Sequence, residues 1–506
     1  MKKLLLHTFL FITFFCEAQQ YLPVLEFQKC FGGSGDDRIY SAAKTREGGL
    51  IMAATTESTD GDVLCNGSYK YWITKLDDSL KTIWQTCLGG SYSELPSSII
   101  ETSDFGYLVG GDSESDDVSG HHINTNGTNF DIWIVKLNNS GNVQWQKSLG
   151  GTRDDRVLSV LEIKDEGYLV LCRTESSDGD LTSSRTEEDT WLVKLDYNGN
   201  ILWQRTYDEP GLGYFINIKN TMDNGYLLLG ANDSLDGGMG QQDAWILKTD
   251  HSGDVQWQKG FGTIFLDYAI DAVQLEDSSF LVLGNENMGS VWVLHMDKRG
   301  EIIWQKTYGG TGYESPAQIT KLKNNTFYIT GTTNSIDGDV EGIHIGDNGI
   351  GGNTYDIWLI QINTNGDLIY QRCLGGSDDE AGFTLNSWLE MTSDSTFNLV
   401  GSSSSTDGDL EGIHYPSSTV NSDIWIMKFK IITANSISGI IYHDNNTNCV
   451  QESIEDGISN VIMKTEPANF YGISDTSGKY HILTDIGSYQ LKPIYPQILK
   501  PFLQQT

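Results

Sequence analysis

The chain has 506 residues, with 33 Lys and Arg against 68 Asp and Glu, for a net charge of −35. No basic excess exists to neutralise phosphates, which excludes a general nucleic-acid binder. The 38% of apolar residues, with 13 Trp, 23 Tyr and 18 Phe, exclude an acidic disordered tail. A chain this long exceeds one ordinary core, so several domains or one large repeat fold are expected.

Residues 1–18 read as an export signal. Lys2 and Lys3 precede an apolar stretch at 4–15, and Ala18 leaves a small residue before Gln19. That stretch is shorter than the roughly 20 residues of a bilayer span, which disfavours an anchor. Thr13, Phe14 and Phe15 are bulky where a lipid-attachment box before Cys16 needs small residues. The expectation is an exported protein, secreted or at the cell surface, with no direct membrane insertion. Beyond the signal lie Cys30, Cys65, Cys87, Cys172, Cys373 and Cys449, sparse for a disulfide scaffold. Cys30, Cys87 and Cys373 share one repeat position. They read as small buried side chains rather than as members of a pair.

The dominant signal is an internal repeat of the type D-x-W-[IL]-x-K-L-[DN]-x-x-G-x-[IV]-x-W-Q-[KR]. Its first tryptophan recurs as Trp72, Trp133, Trp191, Trp245, Trp292, Trp358 and Trp425. Its second aromatic, followed by Gln, recurs as Phe27, Trp84, Trp145, Trp203, Trp257, Trp304 and Tyr370. Successive copies are 47 to 67 residues apart. Each copy holds four short alternating runs joined by turns; in the third copy these are 156–163, 167–172, 189–195 and 201–207. Four strands per copy and seven copies predict an all-β fold, a seven-bladed β-propeller over residues 19–431. The first copy starts at a fourth strand, 24–31, and the last stops after its third, 423–430. The N-terminal strand is therefore expected to complete the seventh blade and close the ring. An open solenoid is the alternative, and it would need capping repeats.

The aromatic pairs read as core between blades. The Gly-Gly pairs, such as Gly32-Gly33 and Gly150-Gly151, suit tight turns between blades. After the second strand of four copies comes an acidic loop: Asp60-Gly61-Asp62, Asp178-Gly179-Asp180, Asp337-Gly338-Asp339 and Asp407-Gly408-Asp409. Weaker versions are Asp116-Asp117 and Asp236-Gly237, and the fifth blade has none. A second acidic pair follows the Gly-Gly turn: Asp36-Asp37, Asp154-Asp155 and Asp378-Asp379. Meander topology puts both sets on one face. Two readings stay open for the D-G-D loops: solvated Asx turns, or oxygen ligands for Ca²⁺ from Asp60, Asp62, Asp178, Asp180, Asp337, Asp339, Asp407 and Asp409. His121, His122, His344 and His414 follow these loops and read as loop residues.

Past the repeats, residues 436–498 read as a small Ig- or prealbumin-like β-sandwich, with strands near 438–442, 461–464, 478–483 and 488–492. The loop 444–455 places oxygen donors at Asp444, Asn446 and Asn448, a carbonyl at Val450, and carboxylates at Glu452 and Glu455. That is the ligand spacing of an EF-hand-type calcium loop, with Cys449 where the sharp turn normally has Gly. With Gly457-Ile458-Ser459-Asn460-Val461 and Thr476-Ser477-Gly478-Lys479-Tyr480, this module resembles the calcium-binding B-type repeats of bacterial surface adhesins. The resemblance implies a calcium-stabilised spacer. The seven repeats resemble the large D-G-D repeat proteins exported by the type IX pathway of Gram-negative bacteria. No activity transfers with that resemblance.

The function expected is a non-enzymatic binding or adhesion protein using an acidic propeller face, its partner an extracellular glycan or protein. A carbohydrate-active hydrolase is the alternative, since paired carboxylates are abundant. The recurrence of each Asp in several blades argues for structure instead. A third reading rests on the K-L-D-x-x-G-x-x-W-Q hairpins, which look like the tryptophan-docking repeats of quinoprotein dehydrogenases. The adjacent Cys pair found in many of those enzymes is missing.

Overall fold

The computed structural model describes residues 21–494 apart from 66–68, 119–128, 183–188, 208–212, 233–241, 288, 345–353, 381–386, 415–420, 434, 443–456, 460, 467–470 and 485–489. Seven four-stranded sheets follow one another along the chain, and no helix occurs among the described residues. The third sheet is typical. Asp155–Ile163, Gly167–Thr174, Asp189–Leu195 and Ile201–Tyr207 lie side by side in chain order, each antiparallel to the next. These bounds fall within two residues of those expected from the sequence. The first strands pack in succession, and Trp388–Met391 of the last sheet packs against Asp37–Lys44 of the first. The arrangement is a seven-bladed β-propeller. Its unit of contacts is Phe27–Lys428.

The seventh sheet runs Tyr21–Phe31, Asp423–Thr433, Thr396–Ser403, Trp388–Met391, so its outer strand comes from the other end of the chain. There Gln28 Oε1 accepts from Trp425 Nε1 at 2.6 Å, and Gln28 Nε2 donates to the Asp409 carbonyl at 2.6 Å. The same Gln works in other blades. Gln85 accepts from Trp72 and donates to the Asp62 carbonyl, and Gln204 does so for Trp191 and Asp180. One side chain thus satisfies a buried indole N–H and fixes an acidic loop, leaving neither group orphaned.

The two aromatics of the repeat have different roles. The first tryptophans, on the third strands, are 0–4% exposed and form the packing between sheets. Truncating one would cost about 3–5 kcal/mol. The second set lies on the outer strands and is partly buried, or exposed in the case of Phe27, so it is not core in the same sense. Trp84 Nε1 donates to the Asn139 carbonyl of the next blade, and Trp145 Nε1 to that of Tyr197. The Trp84 ring lies over Gly141, where a Cβ would come within 2.7 Å of it. A glycine is needed there because the ring occupies the side-chain position.

The inner strands bulge at one repeated place, between Ile39 and Ser41, Pro96 and Ser98, Val157 and Ser159, and Pro316 and Gln318. A bulge on an edge strand tolerates a missing N–H, which is why Pro96 and Pro316 fit. One expectation fails. Cys87 is not an unpaired small side chain; it is disulfide-bonded to Cys65, with Cα atoms 5.6 Å apart. The repeat register hid this, because Cys65 follows the acidic loop of the first blade only. Cys30, Cys172 and Cys373 are free and buried.

The C-terminal strands form two small sheets: Asn435–Ile440 with Lys479–Thr484, and Tyr471–Ile473, Ile462–Glu466 and Gln490–Ile494. Ile441, Val461, Met463, Tyr480 and Ile482 make their core. Tyr442 bridges Gly457, which brings the ends of the loop between them together. The expected ligands Asp444, Asn446, Asn448, Val450, Glu452 and Glu455 lie outside the described residues. So do residues 1–18, His121, His122 and Asp236-Gly237.

Candidate functional site

The Gly-Gly turns and the D-G-D loops meet on one face of the propeller. In each case the first Asp of the loop accepts from the backbone of the turn. Asp60 Oδ1 accepts from Ser34 N at 2.7 Å, Asp178 from Thr152 at 2.8 Å, Asp337 from Thr311 at 2.7 Å and Asp407 from Ser377 at 2.7 Å. Asp117 does the same for Ser91. The Ser34 N–H bond holds the Asp60 carboxyl below its ordinary range. The second Asp donates its N–H to the turn: Asp62 to the Gly32 carbonyl, Asp180 to Gly150, Asp339 to Gly309 and Asp409 to Gly375. The intervening Gly61, Gly179, Gly338 and Gly408 take φ of 64–72°, the left-handed region where a side chain is strained. The D-G-D loop is therefore a latch between blades.

Side chains of the second Asp residues differ. Asp180 and Asp339 accept weakly from Gly150 N and Gly309 N, at 3.3 and 3.2 Å. Asp62 faces Lys29 and His414, and Asp409 faces Arg372 and His344, all at 3.6–3.9 Å. No three His, Cys, Asp or Glu side chains gather as a metal-holding group among the described residues.

Beneath this latch lies a layer of buried acids. The residue opening the first strand is Asp37, Glu94, Asp155 or Glu314, and Glu380, bridged to Ser403, takes the same place in the seventh blade; each is 0–1% exposed. Asp37 Oδ2 accepts from Gly33 N at 2.8 Å and Ser58 Oγ at 2.7 Å, and Asp155 repeats this with Gly151 and Ser176. Burial pushes both Asp37 and Asp155 up to about 6, against these hydrogen bonds. The preceding blade adds the Asp that opens its third strand, the D of the D-x-W motif. Asp423 meets Asp37, Asp131 meets Asp155, and Asp356 meets Glu380. A Cβ on Gly32 would come within 2.5 Å of Asp423 Oδ1 and 2.6 Å of Asp37 Oδ2. Glycine is required because two carboxylates fill the space.

The sequence did not show the role of two histidines. His344 Nδ1 lies 2.8 Å from Asp356 Oδ2, and His414 Nδ1 lies 2.9 Å from Asp423 Oδ2. The hydrogen bond to Asp356 raises His344 above its ordinary range. The repeated Glu-Gly-Ile-His of 341–344 and 411–414 was the available signal. Exposed apolar side chains stand on the turns between blades, Tyr92 (61%), Ile264 (72%), Phe265 (49%) and Tyr313 (57%), and on one acidic loop, Ile336 (59%).

Fold and loops together define a repeat protein of the seven-bladed β-propeller class. No protein-family model matches the chain, and no curated protein does. Among solved structures, it is similar to a protein of unknown function from Dyadobacter fermentans. The identity is 9% and the TM-score 0.43, over 81% of this chain and 99% of that one. A DUF4221 family member from Bacteroides vulgatus matches at 11% identity and TM-score 0.34, over 83% and 100% of the two chains. BamB from Moraxella catarrhalis matches at 11% and 0.31, over 79% and 100%. At these values the likenesses say nothing of activity.

Proposed function

We propose that the protein is an exported, non-enzymatic binding or adhesion protein that uses the loop face of its propeller. The observation that carries this reading is that exposed Tyr92, Phe265, Tyr313 and Ile336 stand amid carboxylates on the face where the D-G-D loops latch the turns. Aromatic rings beside polar groups suit sugar faces and protein hot spots. The buried acid pairs do not favour a hydrolase, because side chains at 0% exposure cannot reach a sugar. Lys2, Lys3, the apolar 4–15 stretch and the Cys65–Cys87 bond support export, since disulfides persist in oxidising compartments. The pairing of Gln28 with Trp425 supports a ring closed by the N-terminal strand. The 436–498 module fits a calcium-stabilised spacer of B-repeat type, with Ca²⁺ on the 444–455 loop. Calcium on the D-G-D pairs has weaker support, because the first Asp of each is already used in the latch. Export by the type IX route rests on the repeat motif alone.

The test is screening of the mature full chain on glycan and extracellular-protein arrays, beside Phe265→Ser/Tyr313→Ser. A ligand held by the parent and lost at least tenfold by the variant supports the reading. Turnover of any arrayed glycan by the parent would overturn it.

A further inference from the structure

At the junction of the first two blades, the place of the Asp that opens the third strand is taken by Lys70. Its ammonium donates to the carbonyls of Gly90 and Tyr92 (2.7 Å for Tyr92) and to Glu94 Oε2 at 3.0 Å. Glu94 is wholly buried and the Lys70 side chain is 14% exposed. One cation here neutralises the buried acid of the following blade and binds two turn carbonyls.

The junctions of blades six with seven and seven with one have a buried acid at the same place, Glu380 and Asp37, and the same Gly-Gly turn, but no lysine. They carry a second carboxylate instead. Asp356 Oδ1 and Glu380 Oε2 converge on Gly375, and Asp423 Oδ1 and Asp37 Oδ2 converge on Gly32. The two oxygens of a pair are no more than about 5 Å apart, where like charges repel strongly in a dry site. Asp356 Oδ1 and Asp423 Oδ1 are buried and have no hydrogen-bond partner, and both side chains are 0% exposed. Their other oxygens are engaged by His344 and His414. A buried carboxylate oxygen with no hydrogen-bond partner, this close to a second carboxylate, is costly unless a shared proton or a cation offsets the charge.

We propose that these two junctions bind a hard divalent cation of calcium's size. Asp356 and Glu380 supply one pair of ligands, and Asp423 and Asp37 the other. The turn carbonyls of Gly376 and Asp378, and of Gly33 and Gly35, correspond in the repeat to those that hold the Lys70 ammonium. All donors are oxygens, and backbone carbonyls are ordinary calcium ligands. The cation would tie each blade to the next. These sites are distinct from the 444–455 loop and from the D-G-D carboxylates, which lie in the latch above them.

The test uses the full chain carrying Glu455→Gln, so that the C-terminal loop does not mask the result. Calorimetric titration with CaCl₂ after chelator treatment should show saturable binding and a rise in thermal midpoint. Adding Asp356→Asn/Asp423→Asn should remove two sites and most of that rise. Lys70→Asp should add one site. If Lys70→Asp does not fold, the Asn pair still decides the matter. Unchanged stoichiometry in the Asn pair overturns the proposal. So does a parent that ignores calcium yet gains stability as pH falls, because a shared proton would then be doing the neutralising.

Discussion

The two faces of the propeller handle buried charge in opposite ways. On the hairpin face, five third strands bury a lysine: Lys75, Lys136, Lys194, Lys248 and Lys428. Each reaches a turn carboxylate that is about half exposed: Glu47, Asp104, Glu166, Asp223 and Asp78. The anion stays solvated and the ammonium is satisfied. On the loop face the junction acids beneath the latch are buried, and only Lys70 among these junctions supplies a matching ammonium. One repeat therefore gives a charge-balanced face and a face with excess negative charge. Burial of the acid, rather than the number of ion pairs, makes the difference.

The contrast is sharpest at Lys70. Lys70→Met should destabilise the protein by about 3–5 kcal/mol, because Glu94 is left buried and charged. Lys70→Met/Glu94→Gln should recover most of the loss. Denaturant unfolding of both variants checks this, and equal losses would erase the distinction between the faces. Reduction should act next. Cys65→Ser/Cys87→Ser, which opens a link spanning 22 residues, should cost about 3 kcal/mol. Peptide mapping without reductant should recover the linked pair from the parent.

The loop face should also respond to pH. Asp37 and Asp155 are raised to about 6 and Asp112 to about 7, in each case mainly by burial. An acid that ionises less readily when folded adds stability below its unfolded value of about 4, and loses it as pH rises through the folded value. In chelator, the thermal midpoint should therefore fall by several degrees between pH 5 and pH 8. Asp155→Asn should flatten part of that slope. On the hairpin face, Lys136→Met should cost only about 1 kcal/mol, since Asp104 remains half in water. A loss as large as that of Lys70→Met would show that the two faces do not differ.

Much of the fold was legible in the sequence, and the reasons are local. The alternation within 189–195 and 201–207, the turn that joins them and the regular return of tryptophan each depend on residues close along the chain. The D-G-D loops were legible as well, and the structure gives their first carboxylates a definite use in the blade latch. The junction acids were visible only as letters. Asp423 stands 386 residues from Asp37, so nothing along the strand places one against the other. Gly32 read as a turn former, whereas its lack of a Cβ makes room for two carboxylates.

The sequence by itself determined the strands, the sevenfold period and the acidic balance, because periodicity and composition are properties of the chain. Only the tertiary structure decided which acids are buried, which histidine faces which carboxylate, and that Cys87 meets Cys65. Those outcomes depend on how successive blades pack, and desolvation and charge pairing act through space rather than along the backbone.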